Sequence, residues 1–97
     1  MVDEMLKFRN LLDEKKIPWE DCSDSEIDID RTHFEYNGYK ISAINGFGTY
    51  GGYNGVNYLA NKKEQNLGLI EVMISGDEPV GWLTAEETWK FIEEKCV

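Results

Sequence analysis

The residue types that could do chemistry fall in three places along the 97 residues. Gly46-Phe47-Gly48-Thr49-Tyr50-Gly51 matches G-x-G-x-x-G, and Glu71 follows at about the distance of the acidic residue in a dinucleotide-binding fingerprint. That fingerprint works only where a helix opens in the glycine turn, so that its N-terminus meets the pyrophosphate. Here Gly, Tyr and Asn continue to Gly55 with no helical period, so the match is accidental and no cofactor is implied. A kinase-type loop would need a far longer chain and its companion motifs. A tight, irregular turn between strands is the plainer account. The functional alternative is a loop in which Asn45, Phe47, Tyr50 and Tyr53 contact a protein partner.

The second place is acidic. Glu20, Asp21, Asp24, Glu26, Asp28 and Asp30 occur with no base before Arg31. Calcium-loop spacing is absent: no glycine stands at the sixth position, and no glutamate closes a loop begun at Asp24 or Asp28. Carboxylates at 24, 26, 28 and 30 alternate with Ile27 and Ile29, which as a strand would put the four acids on one face. A solvated edge that discourages strand-to-strand aggregation explains such a pattern. The sharper reading is a partner-binding edge at Asp24, Glu26, Asp28 and Asp30. In its strongest form the edge imitates nucleic-acid phosphates and blocks a basic groove.

The third place is scattered. His33 is the only histidine, and Cys22 or Ser42 could join it as nucleophile and base, although the sequence does not fix their geometry. A surface histidine beside Glu35 is the simpler reading. Glu71 interrupts an apolar strand; if buried it needs a partner, with Lys40 or a Tyr hydroxyl as candidates. Trp82, just before a helix start, reads as core or as a hinge plug. No metal ligand set stands out, and catalytic residues are not assigned.

The elements that must position these groups begin with a hairpin. Asn37-Gly38 lies between two alternating runs and reads as a two-residue type I′ turn, because both residues tolerate positive φ. The register follows: Tyr36 faces Tyr39, Glu35 faces Lys40, and Phe34 faces Ile41. Phe34, Tyr36, Tyr39, Ile41 and Ala43 then share a core face, while His33, Glu35, Lys40 and Ser42 share the polar one. Continuing the strand back through Ile29 and Ile27 reverses that parity, so a bulge or turn is predicted near Asp30-Arg31.

Before the hairpin, Asp3 to Lys16 reads as an amphipathic helix with Val2, Met5, Leu6, Phe8, Leu11 and Leu12 on its apolar stripe. Ile17-Pro18 stops it. After the hairpin, Val56–Ala60 reads as a short strand or helical turn, and Leu69–Ile74 as a strand. Ser75–Pro79 reads as a turn. Thr84-Ala85-Glu86-Glu87 is a capping box opening a helix whose stripe is Ala85, Trp89, Ile92 and Cys96, with Phe91 at its edge. The expected fold is a single α+β domain spanning 1–97: helix, three- to four-stranded antiparallel sheet, helix, with both helices on one sheet face.

Composition narrows the function classes. Nineteen acidic residues oppose ten basic ones, for a net charge of −9. This disfavours direct nucleic-acid binding, which rests on Lys and Arg against phosphates, and disfavours anionic membranes. It serves solubility and is compatible with a basic protein partner reached by electrostatic steering. Helix–strands–helix is also the order of a double-stranded-RNA-binding fold, but the basic stripe is missing. The acidic N-terminus lacks the pattern of a secretory signal, so a cytoplasmic setting and reduced, ordinary thiols at Cys22 and Cys96 are expected.

Arg31-Thr32, Asn45–Gly52, Gly68–Met73 and Gly81–Glu86 together resemble small uncharacterised proteins of gut Firmicutes and their prophages. The resemblance spans about residues 30 to 92, with a longer insert from Tyr53 to Asn66. It implies a phage or mobile-element setting and no particular activity. The resulting expectation is a small, acidic, non-enzymatic protein-interaction module, with a charge-mimicking inhibitor of a nucleic-acid-binding host protein as the alternative.

Overall fold

A computed structural model describes residues 3–27, 29–46, 49 and 68–97. The order is α1 (Asp3–Glu14), β1 (Trp19–Asp21), β2 (Ile29–Tyr36), β3 (Tyr39–Gly46), β4 (Ile70–Ile74), β5 (Val80–Leu83) and α2 (Ala85–Lys95). The strands form one antiparallel sheet with spatial order β1-β2-β3-β4-β5. The fold is α+β, as expected, with five strands where the sequence suggested three or four.

The Asn37-Gly38 hairpin has the predicted register, Tyr36 to Tyr39, Glu35 to Lys40 and Phe34 to Ile41. Its turn residues take φ of 51° and 84°, the positive values a type I′ turn requires. Ser75-Gly76 repeats the device after β4, at φ of 48° and 84°. Both helices pack on one face of the sheet. Met5, Phe8 and Leu12 of α1 and Ala85, Trp89 and Ile92 of α2 meet Phe34, Ile41, Ala43, Ile70, Val72 and Ile74 in a single core. The stripe of α2 is the one read from the sequence, and its capping box is complete, with Glu87 N–H donating to Thr84 Oγ1 and Thr84 N–H to Glu87 Oε1.

Helix α1 ends two residues before the expected Lys16. Lys16 takes a left-handed φ of 58°. Ile17 N–H then donates to Leu12 C=O at 2.9 Å and Lys16 N–H to Asp13 C=O at 3.0 Å. This is a Schellman ending, here with lysine where glycine is usual.

Of the bulge or turn expected near Asp30-Arg31, the bulge does not occur and the turn lies earlier in the chain. Strand β2 runs from Ile29 to Tyr36 against β3 without a register shift. The parity conflict is removed earlier, because the chain turns at 25–27 and Asp24 and Ile29 bridge, with N–H···O distances of 2.8 and 3.0 Å in the two directions. Asp24 accepts the Glu26 N–H at 3.0 Å, a side-chain-closed turn that competes with strand extension. The acid–isoleucine alternation is therefore not a strand, and Ile27 lies exposed in the turn.

A register shift does occur between β4 and β5, around Ile70 and Val72. On the bulged strand Trp82 takes φ of 64°, a left-handed value rare for a bulky residue, and it is 39% exposed. It is neither core nor plug.

Candidate functional site

Because both helices lie on one side, the opposite face of the sheet carries the side chains with chemical potential. Alternation along β2 and β3 sends Arg31, His33 and Glu35, and Lys40, Ser42 and Ile44, to this outer face. The antiparallel register sets them in rows. Glu20, His33, Ser42 and Met73 form one row across β1 to β4, and Glu35 faces Lys40 in the next. These residues, with Ser75, line an open concavity of about 650 Å³.

The structure thus brings together two residues that the sequence could only suggest. His33 Nε2 and Ser42 Oγ are 3.1 Å apart. A base beside a hydroxyl is half of a nucleophilic site, but Ser42 sits in the middle of β3 between two bonded strands. Backbone N–H groups there belong to the sheet ladder and cannot aim at a developing oxyanion. The pair reads as a cross-strand hydrogen bond on a polar face.

Cys22 continues β1, its N–H donating to Arg31 C=O at 2.9 Å, and its Sγ lies 3.8 Å from Glu20 Oε2. Glu71 lies opposite Ile44 on β4 and is 9% exposed. Lys40, suggested as its partner, is four residues away along β3 from Ile44, roughly 13 Å by strand rise. Among the described residues no three His, Cys, Asp or Glu side chains gather as a metal site.

Of the proposed aromatic loop, Phe47, Tyr50 and Tyr53 lie outside the described residues, as does Asp28 of the acidic edge. Asn45 is 1% exposed and its side-chain amide donates to Leu69 C=O, so it ties β3 to the start of β4 and presents nothing to a partner. Gly46 and Thr49 form a tight turn. The Thr49 hydroxyl accepts from Gly46 N–H at 3.1 Å and donates to Gly46 C=O at 2.8 Å. The first glycine of the apparent phosphate motif has no free N–H to offer an anion.

The acids at the β1 edge divide by role. Glu20, Asp21 and Glu26 are exposed and Asp24 and Asp30 half-buried. Asp30 faces Asn45 across β2–β3, on the opposite side of the sheet from Glu20. Asp21 is held below the ordinary carboxylate range, chiefly by the Ser23 hydroxyl and backbone N–H and further by the Arg9 guanidinium. They do not share one face: Glu20, Asp21, Asp24 and Glu26 follow the β1 edge of the sheet, while Asp30 lies on β2, the strand inside it.

Sequence reasoning missed Arg9. It lies on the buried side of α1 and is 4% exposed. Its Nε donates to Thr32 Oγ1 at 2.7 Å and its Nη2 to Arg31 C=O at 3.1 Å, Asp21 Oδ1 at 3.2 Å and Ser23 Oγ at 3.3 Å, while its guanidinium lies 4.8 Å from the centre of the Trp19 ring. A signal was present: Arg9 follows Phe8 on the apolar stripe, where a surface base would not fall.

Comparison with protein-family models, with curated proteins and with solved structures found no match for this chain.

Proposed function

We propose that this chain is a small, acidic, non-enzymatic protein-interaction module in a phage or mobile-element setting, and that its partner is a basic protein. The observation that carries the reading is the β1 edge. Glu20, Asp21 and Glu26 stand exposed beside half-buried Asp24, while of the two neighbouring bases Arg9 is buried and consumed by internal contacts and Arg31 is half-buried. Such an edge attracts basic surfaces and repels nucleic acid and anionic membrane. The mid-strand position of Ser42 supports the non-enzymatic part.

A charge-mimicking inhibitor would use the same edge. The turn at 25–27 and the inward side of Asp30 count against an evenly spaced imitation of phosphates. Both readings rest on ion pairs at this edge, so binding should weaken with ionic strength under either.

The test is affinity capture of host proteins at low and high salt by the full chain and by the variant Asp24→Asn, Glu26→Gln, Asp28→Asn, Asp30→Asn. The amide at 24 keeps an oxygen for the Glu26 N–H, so the turn survives. A basic partner held by the natural chain and lost both from the variant and in high salt supports contact through the acidic edge. A basic partner retained equally by both chains would remove Asp24, Glu26, Asp28 and Asp30 from the function.

A further inference from the structure

We infer that the concavity on the open sheet face docks a basic, extended segment of the protein partner, with one apolar side chain of that segment seated between His33, Ser42 and Met73. The inference rests on the interaction-module reading and names the chemistry of its partner.

Three observations carry it. Met73 lies on β4, inside the sheet, yet is 38% exposed, so the concavity has an uncovered apolar floor. Apolar surface held open beside charged groups is a recurrent mark of protein contact sites. Second, the rim charges make no ion pair among the described residues, and Glu20 accepts only the weak contact of Cys22 Sγ. Glu35 and Lys40 are direct cross-strand neighbours, yet among the described residues neither makes an ion pair. Exposed Glu20 and Glu35 are therefore available to a Lys or Arg of the partner. Third, Glu20 belongs both to the acidic edge and to the concavity, so one segment can cross from the edge to the floor without leaving a gap.

Lys40 narrows the choice. On the rim opposite Glu20 it repels an unbroken run of basic residues and favours a segment in which basic and apolar residues alternate. A second copy of this chain is a poor occupant, since each copy carries a net charge of −9.

The test uses the full, isotope-labelled chain and two capped heptapeptides, one alternating Lys with Leu and the other Lys with Ser. At low salt the leucine peptide is expected to bind about tenfold tighter, the value of burying one aliphatic side chain in part. Amide shifts should centre on His33, Ser42 and Met73, and Met73→Ala should remove most of the difference between the peptides.

Equal affinities, with shifts confined to residues 20–26, would overturn the inference and leave the acidic-edge reading standing. Shifts at His33, Ser42 and Met73 that arise from protein concentration alone would mean that a second copy fills the concavity, which also overturns it. Binding of neither peptide would do the same, and the capture experiment would then show separately whether the module reading survives.

Discussion

Arg9 shows what one side chain does when an apolar stripe contains a cation. Its guanidinium leaves water, and its hydrogen bonds to Thr32, Asp21, Ser23 and the Arg31 carbonyl replace the lost hydration. Removing it leaves the Thr32 hydroxyl only its weak contact with Met5 Sδ and opens a hole beside Trp19. Arg9→Ala should therefore lower unfolding free energy by about 3–5 kcal/mol, the range for breaking a buried charged contact. Urea denaturation at neutral pH measures this, and a loss below about 1 kcal/mol would place the network with ordinary surface pairs.

Asp21, its exposed partner, gives the pH dependence. Hydrogen bonds from Ser23 and the nearby Arg9 guanidinium hold its carboxyl below the ordinary carboxylate range, so the folded state binds the proton less readily than the unfolded state. The stabilisation it brings is present above that ordinary range and is lost as pH falls through the lower folded value. Asp21→Asn should differ most from the natural chain near neutral pH and converge with it in strong acid.

At the scale of elements, both hairpin turns and both helix ends rest on local chemistry. The end of α1 is the weakest of these, because Lys16 holds a left-handed backbone that costs an L-residue about 1 kcal/mol or more. Lys16→Gly should raise stability by about 0.5–1 kcal/mol, reduced from the full strain by the extra freedom glycine has when unfolded. Thermal and urea unfolding would show it; a destabilised variant would mean that Lys16 contributes more through its side chain than its backbone costs.

The hairpin turn also ties elements together. Asn37 supplies a positive φ, and its amide donates to Cys96 C=O at 2.7 Å, closing the end of α2 onto the hairpin tip. A similar link joins the two helices at their other end, where Glu4 accepts the Ala85 N–H at 2.8 Å. The Ala85 and Glu87 N–H groups at the start of α2 are thus taken by Glu4 and by the capping box.

At the scale of the whole molecule, the sheet separates the two thiols. Cys22 lies beside Arg31, and Cys96 lies beside Asn37, six residues further along the same chain direction and roughly 20 Å by strand rise. A disulfide needs α-carbons within about 7 Å, so the folded chain cannot join them. Burial also pushes the Cys96 thiol up, which lowers its thiolate fraction. A colourimetric thiol reagent should label Cys22 in the native chain and reach Cys96 only on unfolding. Rapid native labelling of both would mean that the C-terminal end of α2 opens readily. No helix among the described residues is long and apolar enough to cross a membrane.

The parts of the fold with a local cause are legible in the chain alone. Asn37-Gly38 set the register of β2 and β3, since a two-residue turn with positive φ leaves one pairing. Thr84 and Glu87 set the start of α2, and periodicity set its buried stripe. Only the tertiary structure decided the rest. The acids from 24 to 30 turned instead of extending, because Asp24 closes a turn on Glu26 and the strand parity forbade the alternative. β1 and β5, three and four residues long, carry too little pattern to be read, and they exist because β2 and β4 offer them open edges. Asn45 became a buried tie, and Arg9 became a buried hub through contacts more than ten residues away in sequence. The outer face was legible in part, since the hairpin placed His33, Glu35, Lys40 and Ser42 together. Its concavity was not, because Glu20 and Met73 join that face only when non-adjacent segments pair.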